Sequence, residues 1–142
     1  MKKLGSVLLA AFVVSCGTTA VTTAKKQPLY QLLTQQPTGG ASIKFYEILS
    51  EANEIKMLQN DPVLRKKISP NDLQNANFLI LNMGEKPTAG YGVVVEEVMQ
   101  TQDSIVVTVK ESVPAEGTMV TQNITYPYAV LKINSKKPIR IK

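Results

Sequence analysis

From Asn77 onward the chain is written in short apolar stretches that alternate with polar residues and are cut by Pro, Gly and polar turns. That pattern favours an antiparallel β-sandwich or open barrel. Phe78-Leu79-Ile80-Leu81 is a continuous apolar run, short enough for a strand buried on both faces. Tyr91 to Val98 alternates, with Tyr91, Val93 and Val95 on one face. Glu96-Glu97 then breaks the register, and one extra residue there returns Val98 to the inner face, which predicts a bulge. Gln100 to Asp103 is a polar loop of hairpin length. The returning strand directs Ile105, Val107 and Val109 inward, with Thr108 and Lys110 outward. Pro114-Ala115-Glu116-Gly117 turns the chain again. Thr118 to Tyr126 and Tyr128 to Ile133 read as two further strands broken by Pro127, and Ile139 to Lys142 as a last edge strand.

Upstream the period changes. Leu29 to Thr34 reads as a first strand or a short helix, and Pro37-Thr38-Gly39-Gly40 as a turn. Ile43 to Leu49 is a strand. Ser50 stands where it would cap a helix whose Ala52, Ile55 and Leu58 share a face, ending by Asn60 before Asp61-Pro62. Val63 to Ile68 reads as a second helical turn, stopped at Ser69-Pro70. The predicted fold is α+β and mainly β, an antiparallel β-sandwich or open barrel with one or two short helices packed on it.

The N-terminus predicts a compartment. Lys2 and Lys3 precede an apolar run from Leu4 to Val14, with Ser15 before Cys16. Crossing a bilayer takes about 20 apolar residues, so residues 1–15 are read as a signal peptide and not a span. Val13-Val14-Ser15-Cys16 resembles the bacterial lipobox. The resemblance implies diacylglycerol on the Cys16 sulfur, cleavage before it, and acylation of the new amine. Several acyl chains hold a protein far more firmly than one. Gly17, with no acidic neighbour, resembles lipoproteins released to the outer membrane. The expected location is therefore the cell envelope, at the outer membrane facing the periplasm. Residues 16–28 read as a lipidated cysteine and flexible tether, and 29–142 as one domain.

Composition excludes much chemistry. The chain has no His and only one Cys, so it can form no internal disulfide, no Cys/His metal cluster and no Ser-His or Cys-His catalytic pair. The Glu96-Glu97 pair has no third ligand beside it in sequence. We expect no metal, no cofactor and no enzymatic activity. Cleavage before Cys16 leaves fourteen basic against eleven acidic residues, a net charge of +3. So weak a field, with no Trp, does not suit nucleic acid.

The most informative stretch is Asn82 to Gly92, between the two strongest strands, where Gly84, Pro87, Gly90 and Gly92 fall within nine residues. Pro87 fixes its own φ and pushes Lys86 toward extended geometry, while Gly90 is free to take a positive φ. A defined loop held out by rigid strands is expected, and such loops often carry function. The stretch Gly84-Glu85-Lys86-Pro87-Thr88-Ala89-Gly90-Tyr91 resembles the C-terminal domain of the PrcB-like protease complex subunit family. So do Val107-Thr108-Val109, the Glu111…Pro114…Gly117 turn, and Tyr126-Pro127-Tyr128 leading into Val130…Ile133. The likeness spans roughly Asn77 to Ile133. Where the family usually has Thr-Gly-Gly-Tyr, this chain has Thr88-Ala89-Gly90-Tyr91.

The resemblance implies a PrcB-like β-rich domain in a lipid-anchored, non-catalytic subunit that binds and stabilises a secreted protease complex. The candidate contact residues are Lys86, Pro87, Thr88, Ala89, Gly90, Tyr91, Tyr126, Pro127 and Tyr128. The expected partners are the membrane, through the lipid, and an envelope protein, with a protease as the candidate. Pro87-Thr88-Ala89-Gly90-Tyr91 also resembles the Pro-Thr-Thr-Gly-Tyr loop of chagasin-type cysteine protease inhibitors. There a neighbouring loop carries Arg-Pro-aromatic, of which Tyr126-Pro127-Tyr128 keeps only Pro-aromatic. A structural envelope lipoprotein is the third reading. In the plainest one, Thr88 bonds within its own turn and Pro127 marks a kink between strands.

Overall fold

The computed structural model describes residues 27–142, and residue 16 with the signal segment lies outside them. In chain order the elements are β1 (Tyr30–Gln36), β2 (Lys44–Leu49), α1 (Ala52–Leu58), α2 (Pro62–Arg65), α3 (Asp72–Asn75), β3 (Asn77–Met83), β4 (Gly92–Gln100), β5 (Ile105–Ser112), β6 (Tyr128–Ile133) and β7 (Ile139–Ile141). One antiparallel sheet has the order β1-β6-β3-β2, and a smaller one the order β4-β5-β7.

The period-two rule explains how β3 holds three layers together. Leu79, Leu81 and Met83 point to the small sheet and join Val93, Ile105, Val107, Leu131 and Ile133 in one core. The alternate residue Phe78 points the other way, to Ile55, Leu64, Ile68, Leu33 and Val130, with Ile80 packed beside them. The continuous apolar run is thus a central strand with a core on each face. The fold is mainly β, two stacked sheets with helices on the outer face of the larger one.

The helices are too short to persist by propensity and depend on caps and buried anchors. At α1 the capping residue is Glu51, not Ser50 as the sequence suggested. The Glu54 carboxylate reaches back to accept the backbone N–H groups of Ser50 and Glu51, each at 3.1 Å. Asp61 caps α2 by accepting from Val63 (2.7 Å) and Leu64 (3.2 Å), with Pro62 in the first turn. The third helix, α3, is one more than expected. Its sequence has no apolar period, and it is held instead by Asp72, which accepts from Ser69 N–H at 2.7 Å and pairs with Lys132 of β6 at 3.3 Å.

The predicted bulge is present: Val95 pairs with Val109 and Glu97 with Thr108, leaving Glu96 over, and Val98 returns opposite Val107. Leu29–Thr34 resolves in favour of a strand, β1. Two readings need correction. Thr118–Tyr126 is not a strand; it is irregular and mostly exposed, with one isolated bridge at Thr125. Both sides of β6 are taken by β1 and β3, so the segment arriving before Pro127 cannot fold back beside it. The last strand, β7, does lie at an edge, but it runs parallel to β5, a departure from an all-antiparallel sandwich.

Candidate functional site

Beyond Met83 the β3–β6 ladder continues past Pro127 with its register moved by one residue. Met83 N–H donates to the Pro127 carbonyl at 3.0 Å, then Lys86 and Thr125 exchange both backbone bonds, at 2.8 and 3.0 Å. The connector is therefore pinned where it starts. Gly84 allows this with φ +75; a Cβ there would come within 2.8 Å of the Lys44 nitrogen. Glu85 N–H donates to the Ser42 carbonyl at 3.0 Å, which ties the loop to the approach of β2.

The tip is pinned as well. Ala89 N–H donates to the Thr121 carbonyl at 3.0 Å, and the Thr125 hydroxyl donates to the Thr88 carbonyl at 2.9 Å. The Thr88 hydroxyl bonds within its own turn, to the Ala89 carbonyl at 3.0 Å. Gly90 takes the expected positive φ, +94, with Pro114 and Val120 packed beneath it. Ala89 does not need one, because no residue other than glycine has positive φ among the described residues. The substitution of Ala for the usual Gly therefore costs the loop nothing in backbone strain.

The nine candidate residues gather at one end of the sandwich, but they differ in what they offer. Pro87 and Gly90 are exposed at the tip, while Thr88, Ala89 and Tyr91 are half-buried. Lys86 is turned inward: its ammonium lies 5.5 Å over the Tyr91 ring and pairs with Glu111, which also reaches Lys44 at 3.7 Å. Its charge serves the loop's own structure. Pro127 is buried, and Tyr128 packs against Gly39 and Gly40. Tyr126 is half-buried, and its hydroxyl donates to Glu85 Oε2 at 3.3 Å.

Several supporting residues escaped the sequence reading. Asn82, 1 % exposed, accepts from Ala41 N–H at 2.9 Å and donates to the Ala41 and Ile43 carbonyls. Gly40 N–H donates to the Tyr126 carbonyl at 2.9 Å. The Gly39-Gly40 pair was legible as a turn, but nothing local linked it to Tyr126. Beside the tip, Met119 (99 % exposed) and Ile124 (55 %) add apolar surface. Among the described residues no group of three or more carboxylates could hold a metal ion. The end of the sandwich thus presents a braced backbone and exposed apolar side chains.

Partial desolvation, then the negative charge of Glu85 and its hydrogen bond, push the Tyr126 phenol above its ordinary pKa of 10.0. A phenol whose pKa is raised by folding contributes stability that is complete below the unfolded value and lost as pH rises through the folded one. Unfolding monitored against pH should therefore show stability falling above about pH 10. In Glu85→Gln the Tyr126 titration, read as the absorbance difference from Tyr126→Phe, should move down toward that ordinary value.

Residues 78–134 match the family described as PrcB C-terminal, from β3 through β6 and one residue beyond. The chain therefore carries a PrcB-like C-terminal domain. The strands that precede this stretch are bonded into it, β1 to β6 and β2 to β3. No curated protein and no solved structure matches the chain.

Proposed function

We propose that this chain is a lipid-anchored, non-catalytic subunit of the cell envelope that binds and stabilises a protease complex, contacting its partner through the 84–91 loop and Tyr126. The observation that carries this reading is the bracing of a loop whose tip exposes Pro87 and Gly90 by two segments distant in sequence, residues 121–125 at the tip and Ser42 at its start. A loop already ordered loses little entropy when it docks, so a small contact can be specific. The match to the PrcB C-terminal family supports a protease complex as the partner class. Anchorage through Cys16 rests on the lipobox resemblance, and the absence of His and of a second Cys supports a non-catalytic role.

Crosslinking in cells followed by mass spectrometry should recover one dominant envelope protein. Two variants probe the loop. Pro87→Glu places a charge at an exposed position and should cut recovery at least tenfold with folding unchanged. Gly90→Val combines an unfavourable positive φ with a Cβ only 2.9 Å from Pro114 Cγ, and should lose the partner as well. Undiminished recovery with both variants would remove the loop from the interface. The position of Tyr126 beside the start of the loop, at Glu85, also favours an inhibitor reading, since chagasin-type loops act in pairs. Inhibition of papain-like or subtilisin-like proteases at micromolar concentration would transfer the assignment to that class.

A further inference from the structure

The two sheets have four edge strands among the described residues, and three of them are defended. β1 is bulged between Leu32 and Thr34, and its Gln35 amide donates to the Val93 carbonyl of β4 at 2.7 Å, closing part of that edge too. β4 has its own bulge at Glu96, flanked by exposed carboxylates. β7 is three residues long, with Arg140 exposed. Bulges, charges and brevity are the means by which sheets avoid pairing edge to edge. β2 has no bulge: its ladder with β3 runs unbroken from Lys44 to Leu49. Its two charges are Lys44, turned toward Glu111 (3.7 Å) and the Tyr46 ring (6.0 Å), and Glu47, which stands on the rim of a groove beside Glu54 and not along the free edge alone. Phe45 (40 % exposed), Tyr46 (36 %) and Ile48 (38 %) stand in solvent along β2, and Ile43 (73 %) does so in the bend just before it.

We propose that β2 pairs antiparallel with β2 of a second copy about a two-fold axis at Tyr46, joining the two larger sheets into one of eight strands. The strand is complementary to itself. Phe45, Glu47 and Leu49 share the helix-side face. At the C-terminal half that face opens on an apolar groove of Leu49, Met57, Leu58 and Ile80, rimmed by Glu47 and Glu54. At the N-terminal half Ile43 and Phe45 are exposed. Reversing the strand about Tyr46 sets Phe45 opposite the second copy's Glu47 and brings Ile43, in the bend just before the strand, toward its Leu49, at the mouth of that groove. The two-fold does this twice, as an isologous contact must.

Charge does not oppose the register. Lys44 falls opposite Ile48 and diagonal to the second copy's Tyr46 ring, the kind of ring it already approaches in its own strand. No like charges stand directly opposite, and the two Glu47 carboxylates are diagonal and solvated. This inference does not depend on what the loop binds.

Tyr46→Cys in the full chain, expressed in cells and oxidised, tests it. Directly opposite residues in an antiparallel pair have Cα atoms about 4.5–5.5 Å apart, within disulfide range. Most of the Tyr46→Cys chain should run at twice its mass without reductant, whereas wild type and the fully exposed Met119→Cys should not. Adding Phe45→Lys and Ile48→Lys should abolish the crosslink while circular dichroism stays native. A Tyr46→Cys chain that stays single, or that crosslinks to a different protein, overturns the proposal, as does a crosslink that survives the two lysines.

Discussion

Phe78→Ala should lower stability by about 3–5 kcal/mol and the melting temperature by roughly 10–20 °C. Phe78 has no exposed surface and is the largest fully buried side chain, seated where β3 meets the helical layer. Removing its ring leaves a cavity among Ile55, Leu64 and Ile68, residues from α1, from α2 and from the segment after it. Two of the three helices among the described residues are four residues long and cannot nucleate alone. Their order is borrowed from this contact, so the damage should be uneven. Hydrogen exchange should show residues 52–75 losing protection first, while the bonds of Lys86 and Thr125 at the far end of the molecule remain protected. A uniform loss across both ends would mean that the helical layer is not a separate cooperative unit.

The same division decides what could be read from the sequence. Phe78–Leu81 announced a doubly buried strand because its whole signal lies within four residues. The bulge at Glu96 was legible for the same reason, since it is written as a phase change in one strand. Thr118–Tyr126 misled because its β-branched residues suit a strand, yet the ladder positions beside β6 were already filled from Tyr30–Gln36 and Asn77–Met83. The helix α3 had no period to detect, and its anchor, Lys132, lies 60 residues away. At the loop, Pro87 and Gly90 foretold local stiffness correctly. What braces that stiffness did not show, because Thr125 is 37 residues from Thr88, and Asn82 is 41 from Ala41. Local signals gave the loop its shape, and contacts of high sequence separation hold it in place.

Asn82→Ala is the variant that should separate stability from the site. Asn82 sits near the end of β3 opposite to Phe78, and its amide satisfies the Ala41 N–H, the Ala41 carbonyl and the Ile43 carbonyl from a buried position. Three bonds at about 1 kcal/mol each predict a loss near 3 kcal/mol, and the groups left behind are partly reached by water once the segment loosens. The structural consequence should be local: residues 39–43 lose protection, and with them the Gly40 bond to the Tyr126 carbonyl and the Ser42 bond to Glu85. Partner recovery should then fall even at temperatures where the chain is fully folded, which Phe78→Ala should not cause. A double-mutant cycle with Gly40→Ala sharpens the test. A Cβ at residue 40 would lie 2.2 Å from Asn82 Oδ1 and 2.8 Å from the Tyr126 carbonyl oxygen. Gly40→Ala should therefore cost clearly less in the Asn82→Ala background than alone, because the worse of its two clashes is gone. Additive costs would mean that the Asn82 amide does not face residue 40, and that the turn reaches the loop by some other route.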